Sequence, residues 1–265
     1  MFKKIYYINL DHRKDRKENM DKQFEKINFS GPIERVSAAN GKNLDLELIP
    51  TNLFTKEAID ATTNKDLIYN TNTMTKGGMG CSLSQKWMYE KILCGTDDYV
   101  LILEDDITIS DNFNDKLKEK LEKMENFDIL YLGYHKKDDK MVGAYYDYPE
   151  KIWGTFGFII NKKAAKNLIE IFPLTNQIDS ELPKIFKNLN VLALKEHERL
   201  ITSPQSHESS LFPSDIQYNR EKFINLTEEY QMYLNWFQSD IDSMWCFIIV
   251  FIITLVVVGM TRVKG

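Results

Sequence analysis

Three consecutive carboxylates, Glu104, Asp105 and Asp106, close the apolar run at residues 99–103. Like charges at the end of a buried strand are an electrostatic problem, because each carboxylate raises the pKa of its neighbours. A bound cation resolves it, and hard carboxylate oxygens suit magnesium or manganese, which usually bridge to phosphate. In an extended backbone Glu104 and Asp106 point to one side and Asp105 to the other. Open α/β sheets bind ligands beyond the carboxyl ends of their strands, which is where these acids fall. A solvated acidic turn would carry the same three letters, and spacing alone leaves both readings open.

The elements that must position these acids are legible as strands alternating with amphipathic helices, an α/β pattern over residues 1–240. Residues 4–10 form the first expected strand. Residues 15–27 follow as a helix, with Met20, Phe24 and Ile27 on one face. A short strand is expected at 32–36, an irregular stretch with one small helix at 56–61 within 40–75, and a helix at 82–93. Gly77-Gly78-Met79-Gly80 punctuates the chain before that helix. A helix at 112–124, a strand at 127–132 closed by Gly133, and a helix at 162–171 after the apolar run 156–160 complete the pattern.

Composition bounds the function. A chain of 265 residues with 43% hydrophobic content suits one large domain or two small ones and needs no disulfide staples. A net charge of −5 gives no support to a nucleic-acid-binding surface. Cys81, Cys94 and Cys246 make neither a disulfide framework nor a zinc pattern.

One segment breaks the globular pattern. Residues 244–260 carry no charge, are preceded by Asp240 and Asp242, open at Trp245 and are followed by Arg262 and Lys264. As a helix the segment would span roughly 26 Å, close to a hydrocarbon core, so it is expected to be a single membrane anchor with a basic tail at 261–265. Residues 1–10 do not read as a secretion signal, which favours a cytosolic domain. The basic tail beyond the anchor and the Asn28 and Asn225 glycosylation triplets fit the lumenal alternative.

Short blocks follow one another along the chain in a specific order. They are Ile8-Asn9-Leu10-Asp11 with Arg13, Asp15 and Arg16, then Ala38-Ala39-Asn40-Gly41-Lys42, then Gly80-Cys81-Ser82-Leu83-Ser84 and Ile102-Leu103-Glu104-Asp105-Asp106. Trp153-Gly154-Thr155-Phe156-Gly157-Phe158 follows with Ala164-Ala165 and Ile178-Asp179, and a looser block runs from Pro204 and His207 to Ser214-Asp215. The ordered set resembles glycosyltransferase family 25, which includes bacterial lipooligosaccharide galactosyltransferases and the carboxy-terminal part of procollagen galactosyltransferases.

The resemblance implies a GT-A-type fold, a Rossmann-like α/β/α sandwich, here followed by a C-terminal transmembrane helix. It implies transfer of a hexose, galactose by analogy, from a UDP-sugar to a hydroxyl of a glycan or protein acceptor. It also implies inversion at the anomeric carbon and a divalent metal, manganese being the expected ion. On this resemblance Asn9, Leu10 and Asp11 sit where the first strand meets the nucleotide. Glu104 and Asp106 match the acidic metal and ribose motif, with Asp105 between them. His207 joins Asp106 as a metal or diphosphate contact, and Asp179 is the candidate base, with Glu181 and Asp215 as rivals.

Several of these residues have plainer readings. Arg13 and Arg16 would neutralise the donor diphosphate, or lie solvated at a helix start. Asp179 would equally cap a helix over 180–186. Cys81 reads as a packing residue, and Trp153 as a sugar platform or as core. Two positions depart from the family's pattern, which commonly carries Gly-Glu before the glycine–cysteine pair and Ser-His after it. This chain has Gly78 and Gln85 there. Losing an acid and a histidine bears on acceptor choice or on activity itself. The alternative is therefore a catalytically silent, membrane-anchored member acting as a glycan-binding or scaffold protein.

Overall fold

The computed structural model describes residues 2–64 and 73–203. The expected anchor at 244–260, the basic tail, His207 and Asp215 lie outside the described residues, and so does the boundary expected at 240. Among the described residues no helix is long and apolar enough to cross a membrane.

The strands are β1 (Lys4–Asn9), β2 (Ile33–Ser37), β3 (Tyr99–Leu103), β4 (Thr108–Ile109), β5 (Ile129–Gly133), β6 (Lys136–Val142), β7 (Tyr146–Trp153), β8 (Gly157–Asn161), β9 (Val191–Leu194) and β10 (Ile201–Thr202). Eight of them form one mixed sheet in the order β2-β1-β3-β8-β5-β9-β7-β6, and β4 pairs with β10 apart from it. β2, β1 and β3 run parallel, whereas β8 enters antiparallel between β3 and β5. The helices are α1 (Lys14–Ile27), α2 (Lys56–Ala61), α3 (Lys76–Cys94), α4 (Phe113–Glu122), α5 (Lys162–Glu170), α6 (Ile178–Glu181) and α7 (Pro183–Phe186).

Both faces of the sheet are buried, so its central strands are apolar along their length and successive side chains serve opposite cores. In β3, Val100 and Ile102 join the layer built with Met79, Leu83, Tyr89 and Ala164 from α3 and α5. Leu101 and Leu103 face the other layer, with Met20 and Phe24 of α1 and Phe113 and Leu117 of α4. The result is a Rossmann-like α/β/α arrangement, with the carboxyl ends of β1 and β3 side by side.

Most expected strands and helices stand within a residue or two of their predicted bounds. Three departures have physical causes. The hairpin of β6 and β7 escaped the sequence pattern because β6 reads KKDDKMV on an exposed sheet edge, with no apolar alternation to reveal it. The helix over 180–186 is broken into α6 and α7, with Pro183 opening the second piece. The glycines at 77, 78 and 80 do not precede α3 but lie within it, capped by Thr75, whose Oγ1 accepts from the Gly78 N–H at 2.9 Å.

Close packing explains why α3 begins with glycines. A Cβ at Gly80 would lie 2.5 Å from the Ala39 carbonyl oxygen and 2.7 Å from the Gly41 nitrogen. The 38–42 loop is further tied to the helix by Ser84, whose Oγ accepts from the Ala39 N–H at 2.8 Å and donates to the Gly80 carbonyl at 2.7 Å. Glycine to alanine inside a helix ordinarily stabilises by up to ~1 kcal/mol. Here the sign should reverse, Gly80→Ala costing about 1–3 kcal/mol through overpacking. Urea denaturation measures it, and a gain in stability would show that the loop can withdraw at no cost.

Candidate active site

The open ends of β1 and β3 place Asn9 beside the three acids. Asn9 Nδ2 donates to Asp105 Oδ2 at 2.7 Å and to the Arg13 carbonyl at 3.1 Å. Arg16 Nη1 donates to Asp105 Oδ1 at 2.7 Å, both partners being buried, and lies 3.4 Å from Asp106 Oδ2. Both oxygens of Asp105 are thus committed to protein. Asp105, expected among the nucleotide contacts, lines the cleft and anchors α1 to the end of β3. Burial raises its pKa, and Arg16 lowers it.

Glu104 turns the other way, toward the loop that enters β8. Its backbone N–H donates to the Phe156 carbonyl at 3.0 Å, and Thr155 Oγ1 donates to its carboxylate at 3.3 Å. Burial, reinforced by the charges of Asp106 and Asp179, pushes the Glu104 carboxyl up to about 8. Asp179, in the first turn of α6, reaches the same loop. Its Oδ2 accepts from the Gly154 N–H at 2.8 Å, and burial raises its pKa to about 6. Asp179 does not cap α6, whose N-cap is Gln177, and its carboxylate holds the Gly154 N–H of the β7–β8 loop.

One cleft gathers Asn9, Leu10, Arg16, Glu104, Asp105 and Asp106 with the 38–42 loop and the Gly77, Cys81, Ser84 and Gln85 face of α3. Asp11, Arg13 and Asp179 are not on its lining, Asp179 lying behind Thr155. Asp11 is held outside by Arg35 at 2.5 Å and by Ser37 Oγ at 2.8 Å. Arg13 embraces Asp15 through Nε and Nη2, at 3.0 and 2.8 Å. Glu181, the rival base, is buried and accepts from the Asn176 backbone N–H at 3.0 Å and side chain at 3.2 Å, with Lys184 as its ion-pair partner. It shapes the turn before α6 and does not meet the cleft. The Cys81 thiol is pushed well above its ordinary value by burial and by Glu104, Asp179 and Asp106, so it stays a thiol.

Two residues without a predicted role prove to be organisers. Thr155 sits within the quoted Trp153–Phe158 block and meets both Glu104 and Asp179. Arg35 Nε donates to Asn9 Oδ1 at 2.7 Å and fixes the amide's orientation, a contact across 26 residues that no local pattern announces.

The cleft carries more negative than positive charge at its acidic end. Among the described residues no group of three His, Cys, Asp or Glu side chains is spaced to hold a metal ion. Carboxylate oxygens are the donor type a hard divalent cation takes, and such an ion would offset the burial and the neighbouring charges that raise the Glu104 pKa. Asp106 is the acid with a partly exposed carboxylate, and Ser203 Oγ donates to it at 3.4 Å.

The ordered blocks and this cleft belong together in one family. The family model described as glycosyltransferase family 25 (LPS biosynthesis protein) matches residues 2–182, and the chain belongs to that family. A "Glycosyltransferase 25 family member" of Aedes aegypti is 29% identical over 201 residues, covering 69% of this chain and 31% of its own. "Procollagen galactosyltransferase 2" of Homo sapiens is 24% identical over 213 residues, covering 74% of this chain and 32% of its own. "Inactive glycosyltransferase 25 family member 3" of Homo sapiens is 27% identical over 196 residues, covering 70% and 32%. The chain therefore spans about a third of the length of these curated relatives.

The raised pKa of Glu104 gives a signed expectation. The folded protein holds this proton more tightly than the unfolded chain, whose carboxyl titrates near 4.5, so without divalent cation stability should fall as pH rises from 4.5 to about 8. Asp179 adds to the fall between 3.8 and about 6. Glu104→Gln should flatten the upper part of this slope. Urea midpoints in chelator from pH ~5 to ~8 test it, and an unaltered slope in the variant would remove Glu104 as its source.

Proposed function

We propose that the chain is a nucleotide-sugar-dependent glycosyltransferase that moves a hexose to an acceptor hydroxyl with inversion at the anomeric carbon. The observation that carries the reading is the pair of half-buried carboxylates that meet at Thr155, Glu104 at the open end of β3 and Asp179 in α6. A UDP-hexose is the donor, galactose by analogy with the relative named for procollagen galactosyl transfer. The fold is of the GT-A type.

In this reading Asp179 is the general base. A carboxyl titrating near 6 is largely ionised at neutral pH and still basic enough to take the proton of an attacking hydroxyl. The Gly154 N–H holds one of its oxygens and orients the carboxylate. Asn9 and Leu10 face the nucleotide. Arg16, fixed by Asp105, adds positive charge on the side where the diphosphate departs. Asp106 and His207 would hold a divalent cation, manganese being favoured, and the ion when bound offsets negative charge on the leaving diphosphate. The described chain reaches Asp106 at Ser203, four residues before His207.

A silent family member acting as a glycan-binding or scaffold protein is the second reading. Gly78 and Gln85 favour it, as does the relative named as inactive. Incubation with a panel of nucleotide sugars, with and without manganese, decides between them, and binding without any transfer would favour the silent protein.

Two substitutions test the assignment. Asp179→Asn should lower turnover by roughly a hundredfold or more, and the wild-type rate should climb with pH through about 6 as the base ionises. Asp106→Asn should abolish transfer while leaving the fold intact. Steady-state rates with circular dichroism of each variant check both. Near-normal turnover in the Asp179 variant would eliminate that residue as base, and undiminished metal-dependent turnover would eliminate Asp106 as a ligand.

A further inference from the structure

Gln85 combines two properties that conflict in the ligand-free protein. It is fully buried, yet it belongs to the lining of the cleft that holds Asn9, Glu104 and Asp105. Its Nε2 donates to the Thr155 carbonyl at 3.4 Å, which sets the orientation of the amide, because only the NH2 end can donate. Its Oε1 has no hydrogen-bond partner among the described residues. A buried carbonyl left unsatisfied costs free energy, and native proteins rarely retain one without a reason.

Three neutral donors in and beside the cleft are engaged elsewhere. Ser84 Oγ donates to the Gly80 carbonyl, Asn9 Nδ2 to Asp105 and to the Arg13 carbonyl, and Thr155 Oγ1 to Glu104. A donor that arrives with a ligand would satisfy the oxygen. Gln85 shares the cleft lining with Glu104 and is bonded to the backbone of Thr155, whose side chain contacts Glu104 and Asp179, so it lies on the side of the cleft next to both carboxylates. It also presents an acceptor there without adding to the negative charge. A group rich in hydroxyl donors fits that requirement.

We propose that Gln85 is a specificity-determining residue whose side-chain carbonyl oxygen accepts a hydrogen bond from a hydroxyl of the sugar on the bound nucleotide. The inference rests on the sugar-nucleotide reading above, and it names the residue that reads the sugar as opposed to the nucleotide. It also makes the orphaned oxygen a stability cost retained for binding. Gln85→Met, close to the same shape, removes the unsatisfied group and should leave the free protein equally or more stable. A Gln85 that served packing alone would give the reverse.

The test uses the full chain, with calorimetric titration of UDP, UDP-galactose and UDP-glucose in manganese and thermal unfolding of the ligand-free protein. Gln85→Met and a second variant, Gln85→Leu, should bind UDP as the wild type does. Both should lose about tenfold in affinity for the hexose nucleotide that the wild type prefers, the scale of one hydrogen bond. The melting temperature of Gln85→Met should be unchanged or raised. Wild-type affinity for the hexose nucleotide, or an equal loss for UDP and UDP-hexose, overturns the proposal while leaving the transferase reading in place. A lowered melting temperature with unaltered binding assigns the amide to structure alone and also overturns it. A wild-type chain that binds none of the three ligands overturns the transferase reading, and this inference falls with it.

Discussion

The buried Arg16–Asp105 pair is the contact on which the acidic end of the molecule depends. Two charges withdrawn from water are costly unless each is closely matched, and removal of one partner strands the other. Here one guanidinium reaches Asp105 at 2.7 Å and Asp106 at 3.4 Å, and Asn9 covers the second oxygen of Asp105. The pair joins the first turn of α1 to the end of β3 across 89 residues of sequence. With Asp105 neutralised in this way, the strand end can carry two further acids without all three repelling one another equally. Glu104 has no such cation beside it among the described residues, and burial, reinforced by Asp106 and Asp179, raises its pKa.

From that anchor the cleft is assembled by backbone contacts more than by side chains. The Glu104 N–H binds the Phe156 carbonyl, and the Gly154 N–H binds Asp179, so the β7–β8 loop is held between the strand that carries the acids and the helix that carries the proposed base. Gly154 takes a φ of 95°, a backbone conformation that other residues seldom adopt, and its nitrogen can thereby face Asp179. On the opposite wall, the glycine contact between Gly41 and α3 brings the 38–42 loop down to the cleft. Loop geometry therefore sets the separation of the acids, and the helices serve to hold the loops.

The degree to which this could be read in the sequence follows from the range of the forces. β1, α1 and β3 were legible because burial on defined faces imposes a period that a short window reveals. The triple acid was legible for the same local reason. Arg16, by contrast, was read as a phosphate ligand or a solvated charge, because nothing within α1 shows that Asp105 lies opposite it. Asp179 was read as a possible helix cap on equally local grounds, and its bond to Gly154 depends on the fold. β6 was missed because an edge strand with charged residues on both faces has no period to detect. Gln85 stood out only as a departure from the family's pattern, and its unsatisfied oxygen is a property of the packed cleft alone.

These observations also separate the two departures that keep a silent protein in view. Gly78 is capped by Thr75 at the start of α3, and a Cβ there would sit 3.2 Å from the Thr75 hydroxyl. A small residue suits that helix start, and Gly78 is not on the cleft lining. Gln85 is different, because it lies in the wall of the cleft and touches the loop that serves both carboxylates. A neutral amide at this position adds no positive charge to the acidic end, and the raised pKa of Glu104 goes uncompensated from this wall. The charge at the acidic end and the identity of residue 85 are thus two aspects of one electrostatic balance.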